Sequence, residues 1–189
     1  MSDSMYFMLE CLSPSDGFKA LVDYQDDDPL RSWTLGRRFS MPPASPLLAR
    51  LRMRKDSKLM EMWKVPLPII STRLYNALLS IGIDNIDVFP VELLDAKSGV
   101  TYKDYLAFNI IGVIAAADLS KSEYHAWDES KVALDFNSLV IDEIKTRNAL
   151  IFRLAEATNG IVIHESVKKA IEAAGIDTLT FIPPEEWVG

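Results

Sequence analysis

The chain has 189 residues, 49% of them apolar and 25% charged, with 8 glycines, one cysteine and two histidines. That is enough apolar chain to bury a sizeable core, which excludes a stapled miniature scaffold and a largely disordered protein. A net charge of −7 argues against a general nucleic-acid binder, and Cys11 with two histidines leaves neither an internal disulfide nor a zinc cluster.

The first ten residues have no basic stretch and only a short apolar run, so no signal peptide is expected. The longest apolar stretch, residues 110–117, falls far short of the about 20 residues that a bilayer span needs. A cytoplasmic protein that makes no membrane contact is therefore expected. Charge is unevenly spread along it. Residues 1–30 carry Lys19 against seven acids, 31–64 carry nine bases against Asp56 and Glu61, and 65–189 carry 10 bases against 18 acids. The segments are thus −6, +7 and −8. Either the first two neutralise each other on a folded surface, or 31–64 forms a basic strip that orients a charged partner.

Residues 5–12 read as an apolar strand, with 18–24 as a weakly alternating partner and Asp26, Asp27, Asp28 and Pro29 as a turn. A helix is expected to begin within 46–54, with Leu47, Leu48 and Leu51 on one side. Val65-Pro-Leu-Pro68 marks a junction. Ser71 then caps a helix over 71–81, whose Leu74, Ala77, Leu78 and Ile81 share one face before a terminating Gly82. Strands are expected over 86–94 and 102–114, a polar aromatic loop or short helix over 118–127, and strands over 138–144 and 150–155. A strand at 161–163, a helix over about 165–174 and a strand at 178–182 close the chain.

The last elements repeat the earlier ones at an offset of 93. Leu74, Ala77, Leu78 and Ile81 correspond to Val167, Ala170, Ile171 and Ala174, Gly82-Ile-Asp84 to Gly175-Ile-Asp177, and Pro90 to Pro183. Each unit is an amphipathic helix stopped by glycine and followed by a strand, as duplication, a shared packing solution or chance recurrence of a common pattern would give.

Chemistry-bearing motifs are sparse. There is no Walker-A loop, no G-x-G-x-x-G, no G-x-S-x-G and no H-E-x-x-H. His125 stands beside Tyr124, with Glu123 and Asp128 near enough in sequence to orient a general base; a polar surface loop with one stray histidine is the simpler and preferred reading. His164 sits where the first unit has Ser71, which suggests capping. Cys11 lies in an apolar strand, as a buried small hydrophobe does. The run 26–28 lacks the ligand spacing of a calcium loop, and Trp33, Arg37, Arg38 and Phe39 would suit base stacking only on a less acidic body. No catalytic residue, metal site or cofactor is assigned.

Three stretches carry a family likeness: Leu67-Pro-Ile-Ile-Ser71, Gly82-Ile-Asp-Asn-Ile-Asp-Val-Phe-Pro-Val-Glu92 and Tyr105-Leu-Ala-Phe-Asn-Ile110. Ser138-Leu-Val-Ile-Asp142, Ile151-Phe-Arg-Leu154, Ile161-Val-Ile-His-Glu-Ser166 and Thr180-Phe-Ile-Pro183 complete it. In this order they resemble the MXAN-type immunity domain family of bacterial polymorphic toxin systems, over about residues 65–189. The resemblance implies a non-catalytic protein that binds and neutralises a cognate toxin. A basic nuclease-type toxin would gain fast, salt-sensitive association with an acidic inhibitor. The carboxylates that would serve are Asp84, Asp87, Glu92, Asp95, Asp128, Glu129, Glu185 and Glu186, which could equally form solvated faces. A small enzyme around His125 and a regulatory interaction protein without a toxin are the competing readings.

The expected fold is α+β: a mainly antiparallel sheet with two amphipathic helices, about 71–81 and 165–174, packed on one face. Residues 1–64 are expected to form a strand-and-loop extension packed on a main body of 65–189.

Overall fold

A two-residue period, not a helical one, governs the chain around residue 50. In Leu47–Arg52 the residues Leu47, Ala49 and Leu51 are buried while Leu48, Arg50 and Arg52 are exposed. The helix expected there is a strand, with a neighbouring strand hydrogen-bonded along each of its edges. The computed structural model describes residues 5–28, 31–127 and 133–189.

In chain order the strands are β1 (Tyr6–Glu10), β2 (Phe18–Lys19), β3 (Leu21–Asp23), β4 (Leu47–Arg52), β5 (Ser57–Lys58), β6 (Met62–Trp63) and β7 (Ile69–Ser71). Helix α1 (Thr72–Leu79) leads to β8 (Ile86–Asp95), β9 (Thr101–Ile110), β10 (Val113–Ile114), β11 (Glu123–His125) and β12 (Asp135–Ser138). After the one-turn α2 (Glu143–Thr146) come β13 (Ile151–Leu154), β14 (Ala157–His164), α3 (Glu165–Ala173), β15 (Thr180–Ile182) and a 3-10 turn, Pro184–Glu186.

Two sheets carry the molecule. The larger has the order β3-β4-β8-β9-β7-β6, and the other β10-β13-β14-β1-β15. Each is antiparallel except for one parallel pair, β4 with β8 and β10 with β13. The architecture is α+β and mainly sheet. Residues 1–64 are woven into both sheets: β1 lies between β14 and β15, while β3, β4 and β6 belong to the larger sheet.

Alternation along β1 and β14 makes the five-stranded sheet a wall between two cores. Leu9, Ile161 and Ile163 join a first core with Leu74, Leu78, Val167 and Ile171 of the two helices and with residues of the larger sheet. On the opposite face Tyr6, Met8 and Val162 join a second core closed by Leu134, Phe136, Leu139 and Trp187. Helix α1 lies against β7 and β9, α3 against β14, and the helices touch each other. Two sheets therefore share the helices, where one sheet was expected.

Capping fixes both helices. The Ser71 hydroxyl accepts from the Leu74 amide at 2.9 Å, and His164 Nδ1 accepts from the Ser166 amide at 3.1 Å. Each helix ends on a left-handed glycine, Gly82 at φ 81° and Gly175 at φ 69°. The closing bonds match at the offset of 93: the amides of Gly82 and Ile83 donate to Leu79 and Leu78, those of Gly175 and Ile176 to Glu172 and Ile171.

Two expected strands divide. Residues 102–114 break at Gly112, whose φ of 125° lets β9 end in the larger sheet and β10 start in the other. Within 138–144 the strand stops at Ser138, because the Asp142 carboxylate accepts from the Ile144 amide at 3.2 Å and starts α2 instead. Among the described residues no helix is long and apolar enough to cross a membrane.

Candidate interaction surface

One face of the larger sheet is covered along only part of its width. On β8, Ile86, Val88, Pro90, Glu92 and Leu94 point to one side by strand alternation. Register places Ile110, Phe108 and Leu106 of β9 beside the first three. Ile86, Phe108 and Ile110 are buried in the core that holds the helices. Beyond Pro90 the same face is open. Leu48 stands opposite Glu92, Arg50 lies between Leu94 and Asp23, and Leu21 faces Arg52. Leu48 is 72% exposed, Leu21 45% and Leu94 39%.

The reverse face is closed by the chain between β3 and β4. Trp33 packs edge-on to Phe39 and Phe89, with ring centroids 4.8 and 5.8 Å away. The Asn109 amide donates to the Arg37 carbonyl at 2.7 Å, and Gly36 approaches so closely that a Cβ there would sit 2.4 Å from Val113. Trp33 and Phe39 are thus packing groups, not free stacking platforms.

Neutralisation accounts for much of the charge split. Arg31 pairs with Asp26 and Asp27, Arg52 with Asp23, Lys58 with Asp16 and Lys64 with Glu10, so four bases of 31–64 meet acids of the first thirty residues. Arg38 pairs with Asp87. Among the described residues Arg37, Arg50, Arg54 and Lys55 have no carboxylate partner, and all four are exposed. A basic strip survives the cancellation. Arg50 on β4 and Arg54 just beyond it belong to it, on either side of the Asp23-paired Arg52.

The described members of the acidic set stand in different settings. Asp87 is held by Arg38 and Glu92 by Lys103 at 2.8 Å. Asp95, 6% exposed, accepts from the Ser98 hydroxyl at 2.6 Å and the Lys97 amide at 3.0 Å, closing the turn after β8. Those hydrogen bonds, that from Ser98 first, keep its carboxyl below the ordinary range. Asp84 is exposed in the turn before β8, beside the first core; Glu185 and Glu186 are exposed on the terminal 3-10 turn, beside the second. Asp128 and Glu129 lie outside the described residues.

His125 projects from β11 with its ring edge-on to Trp127 at 4.9 Å, and among the described residues no carboxylate bonds to it. Tyr124 turns toward Phe136. Cys11 is buried, and burial pushes its thiol pKa up, the opposite of what a nucleophile needs. Among the described residues no three His, Cys, Asp or Glu side chains are placed to hold a metal ion.

Sequence reasoning missed the open sheet face. Its signal was present: Leu-Leu-Ala-Arg-Leu-Arg from Leu47 to Arg52, taken with a period of two, puts Leu48, Arg50 and Arg52 on one side. The leucines at 47, 48 and 51 also fit a helical stripe, and only pairing with β3 and β8 resolves the ambiguity.

Residues 13–186 match the model of the immunity protein family (Imm11), which takes in strands of both sheets and all three α-helices. No curated protein matches the chain.

Proposed function

We propose that this chain, which belongs to the immunity protein family (Imm11), neutralises a cognate toxin by binding it in a stoichiometric complex, without catalysis. The observation that carries the proposal is the family match across both sheets and both long helices. The setting of His125 supports it, because a general base needs an oriented ring and a positioned substrate, and this ring lies against an exposed tryptophan. The site of action is the cytoplasm.

A toxin of basic nuclease type is one partner that a net charge of −7 would attract at long range. Asp84, Glu185 and Glu186 are the exposed carboxylates of the expected set that no base of the described chain neutralises. They stand beside different cores, so the proposal does not depend on their acting as one patch.

The test is co-expression with the toxin encoded beside this gene, followed by titration of the purified pair. Growth should be restored, and toxin activity should fall to its floor at one equivalent. Protection by a small fraction of an equivalent would mean turnover, and would replace the binding reading with an enzymatic one.

A further inference from the structure

We propose that the open part of the larger sheet, the side of β3, β4 and β8 that carries Leu21, Leu48 and Leu94, is the surface that docks the toxin, and that it takes an acidic segment with an apolar side chain beside its carboxylates. The inference rests on the immunity reading but not on the toxin being basic overall.

Three features of this face point the same way. The first is chemical composition. Leu21, Leu48 and Leu94 interleave with Arg50 and Arg52, and with the carboxylates Asp23 and Glu92, on one side of three adjacent strands, and neighbouring side chains stand about 5 Å apart across strands and about 7 Å apart along them. Arginine and apolar groups together, at a site that excludes water, are what the centre of a protein interface favours.

The second is unspent charge. Arg52 is matched by Asp23 and Lys103 by Glu92, but Arg50 and Arg54 have no carboxylate partner among the described residues. A complementary partner supplies carboxylates there, and charge-assisted bonds to arginine are both strong and directional.

The third is shape. Phe18, Leu21, Arg52 and Arg54 line a cavity of about 150 Å³ at the edge of this face. That volume suits one side chain of a partner. Lys19, Ser13 and Ser57 complete its walls, so two apolar groups stand among three cations and two hydroxyls, and the matching side chain is apolar and borders a carboxylate.

A polyanion such as duplex nucleic acid is the poorer occupant. Leucines separate the cations of the patch, where a phosphate backbone would need further bases, and the remaining chain repels a polyanion.

The experiment measures affinity by calorimetry for the full chain against the purified, catalytically inactivated toxin encoded beside its gene. The variants are Arg50→Glu with Arg54→Glu, Leu48→Asp alone, and an acidic-set control of Asp84→Lys, Glu185→Lys and Glu186→Lys. All these positions are exposed, and unchanged melting temperatures confirm the fold. A 30-base-pair DNA duplex is the second probe.

The arginine pair reversal should weaken toxin binding at least about 10-fold and flatten its salt dependence, Leu48→Asp should weaken it about 10-fold, and the acidic control should stay within about 3-fold of wild type. Wild-type affinity in both face variants would overturn the surface while leaving the immunity reading intact. So would loss confined to the acidic control. DNA binding that the arginine reversal abolishes, with toxin affinity untouched, would reassign the face to nucleic acid. If the wild-type chain itself does not bind the toxin, the immunity reading falls and this surface with it.

Discussion

The α1 and α3 units are built alike and used differently. Both helices begin on a side-chain cap after a strand, bury a stripe on the shared core and stop at a left-handed glycine. After Gly82 the chain enters β8, ten residues long and central to the larger sheet; after Gly175 it enters β15, three residues long and at an edge. The same local grammar thus sets up one strand that extends past the helices to an open face and one that finishes a sheet. Helix and stop are local properties. The role of the following strand depends on which partners reach it.

The largest test of this likeness lies in the helix stripes. Leu78→Ala and Ile171→Ala occupy equivalent buried positions, and each should cost about 2–5 kcal/mol by chemical denaturation. Costs differing by more than about 2 kcal/mol would break the equivalence.

The glycine stops should separate the units. An alanine Cβ at Gly82 meets nothing within 4 Å, so Gly82→Ala carries only the left-handed backbone penalty, about 1 kcal/mol. At Gly175 the Cβ would sit 3.2 Å from the Arg73 guanidinium, which donates to the Ala174 carbonyl at 2.9 Å and to that of Gly175. Gly175→Ala should therefore lower the denaturation midpoint more than Gly82→Ala. The helix caps come next. Ser71→Ala and His164→Ala should each cost about 1 kcal/mol, seen as faster amide exchange in the first turn of the affected helix. Arg73→Ala removes a cation from the C-terminal end of α3 and should cost about 0.5 kcal/mol.

A smaller effect distinguishes the second unit by pH. Its hairpin, β13 and β14, buries two ionisable groups: Arg153, 2% exposed with its pKa pushed down to about 10 by burial, and Glu156, whose pKa burial raises. A carboxyl with a raised folded-state pKa stabilises the fold fully below its unfolded value, about 4.3, and that contribution is lost as pH rises through the folded value. Glu156→Gln has no such loss. Its melting temperature relative to wild type should rise between pH 4 and pH 7; a constant difference across that range would remove burial as the cause.

The legible parts of the fold were those decided by nearby residues. Both helices, their caps at Ser71 and His164 and their glycine stops could be read from spacing alone, because a cap bond spans two or three residues and a glycine stop a single turn. The strand over β8 was likewise legible. Residues 46–54 and 138–144 were not, since apolar spacing allowed a helix in the first and a strand in the second. Pairing decided the first, with β3 on one edge and β8 on the other, and the Asp142 cap the second.

For the candidate surface, the sequence by itself determined the charges and their order along the chain: an acidic start, a basic stretch and an acidic remainder. It also carried the resemblance to an immunity family, which the match over residues 13–186 extends into the first 64 residues. Only the tertiary structure decided which charges cancel. Arg52 meets Asp23 across 29 residues and Arg38 meets Asp87 across 49, while Asp95 turns into its own loop. Coulomb attraction follows distance in space, and chain order does not fix that distance. Folding engages Asp87, Glu92 and Asp95 of the acidic set, and leaves Arg50, beside Leu48, and Arg54 without a carboxylate partner among the described residues.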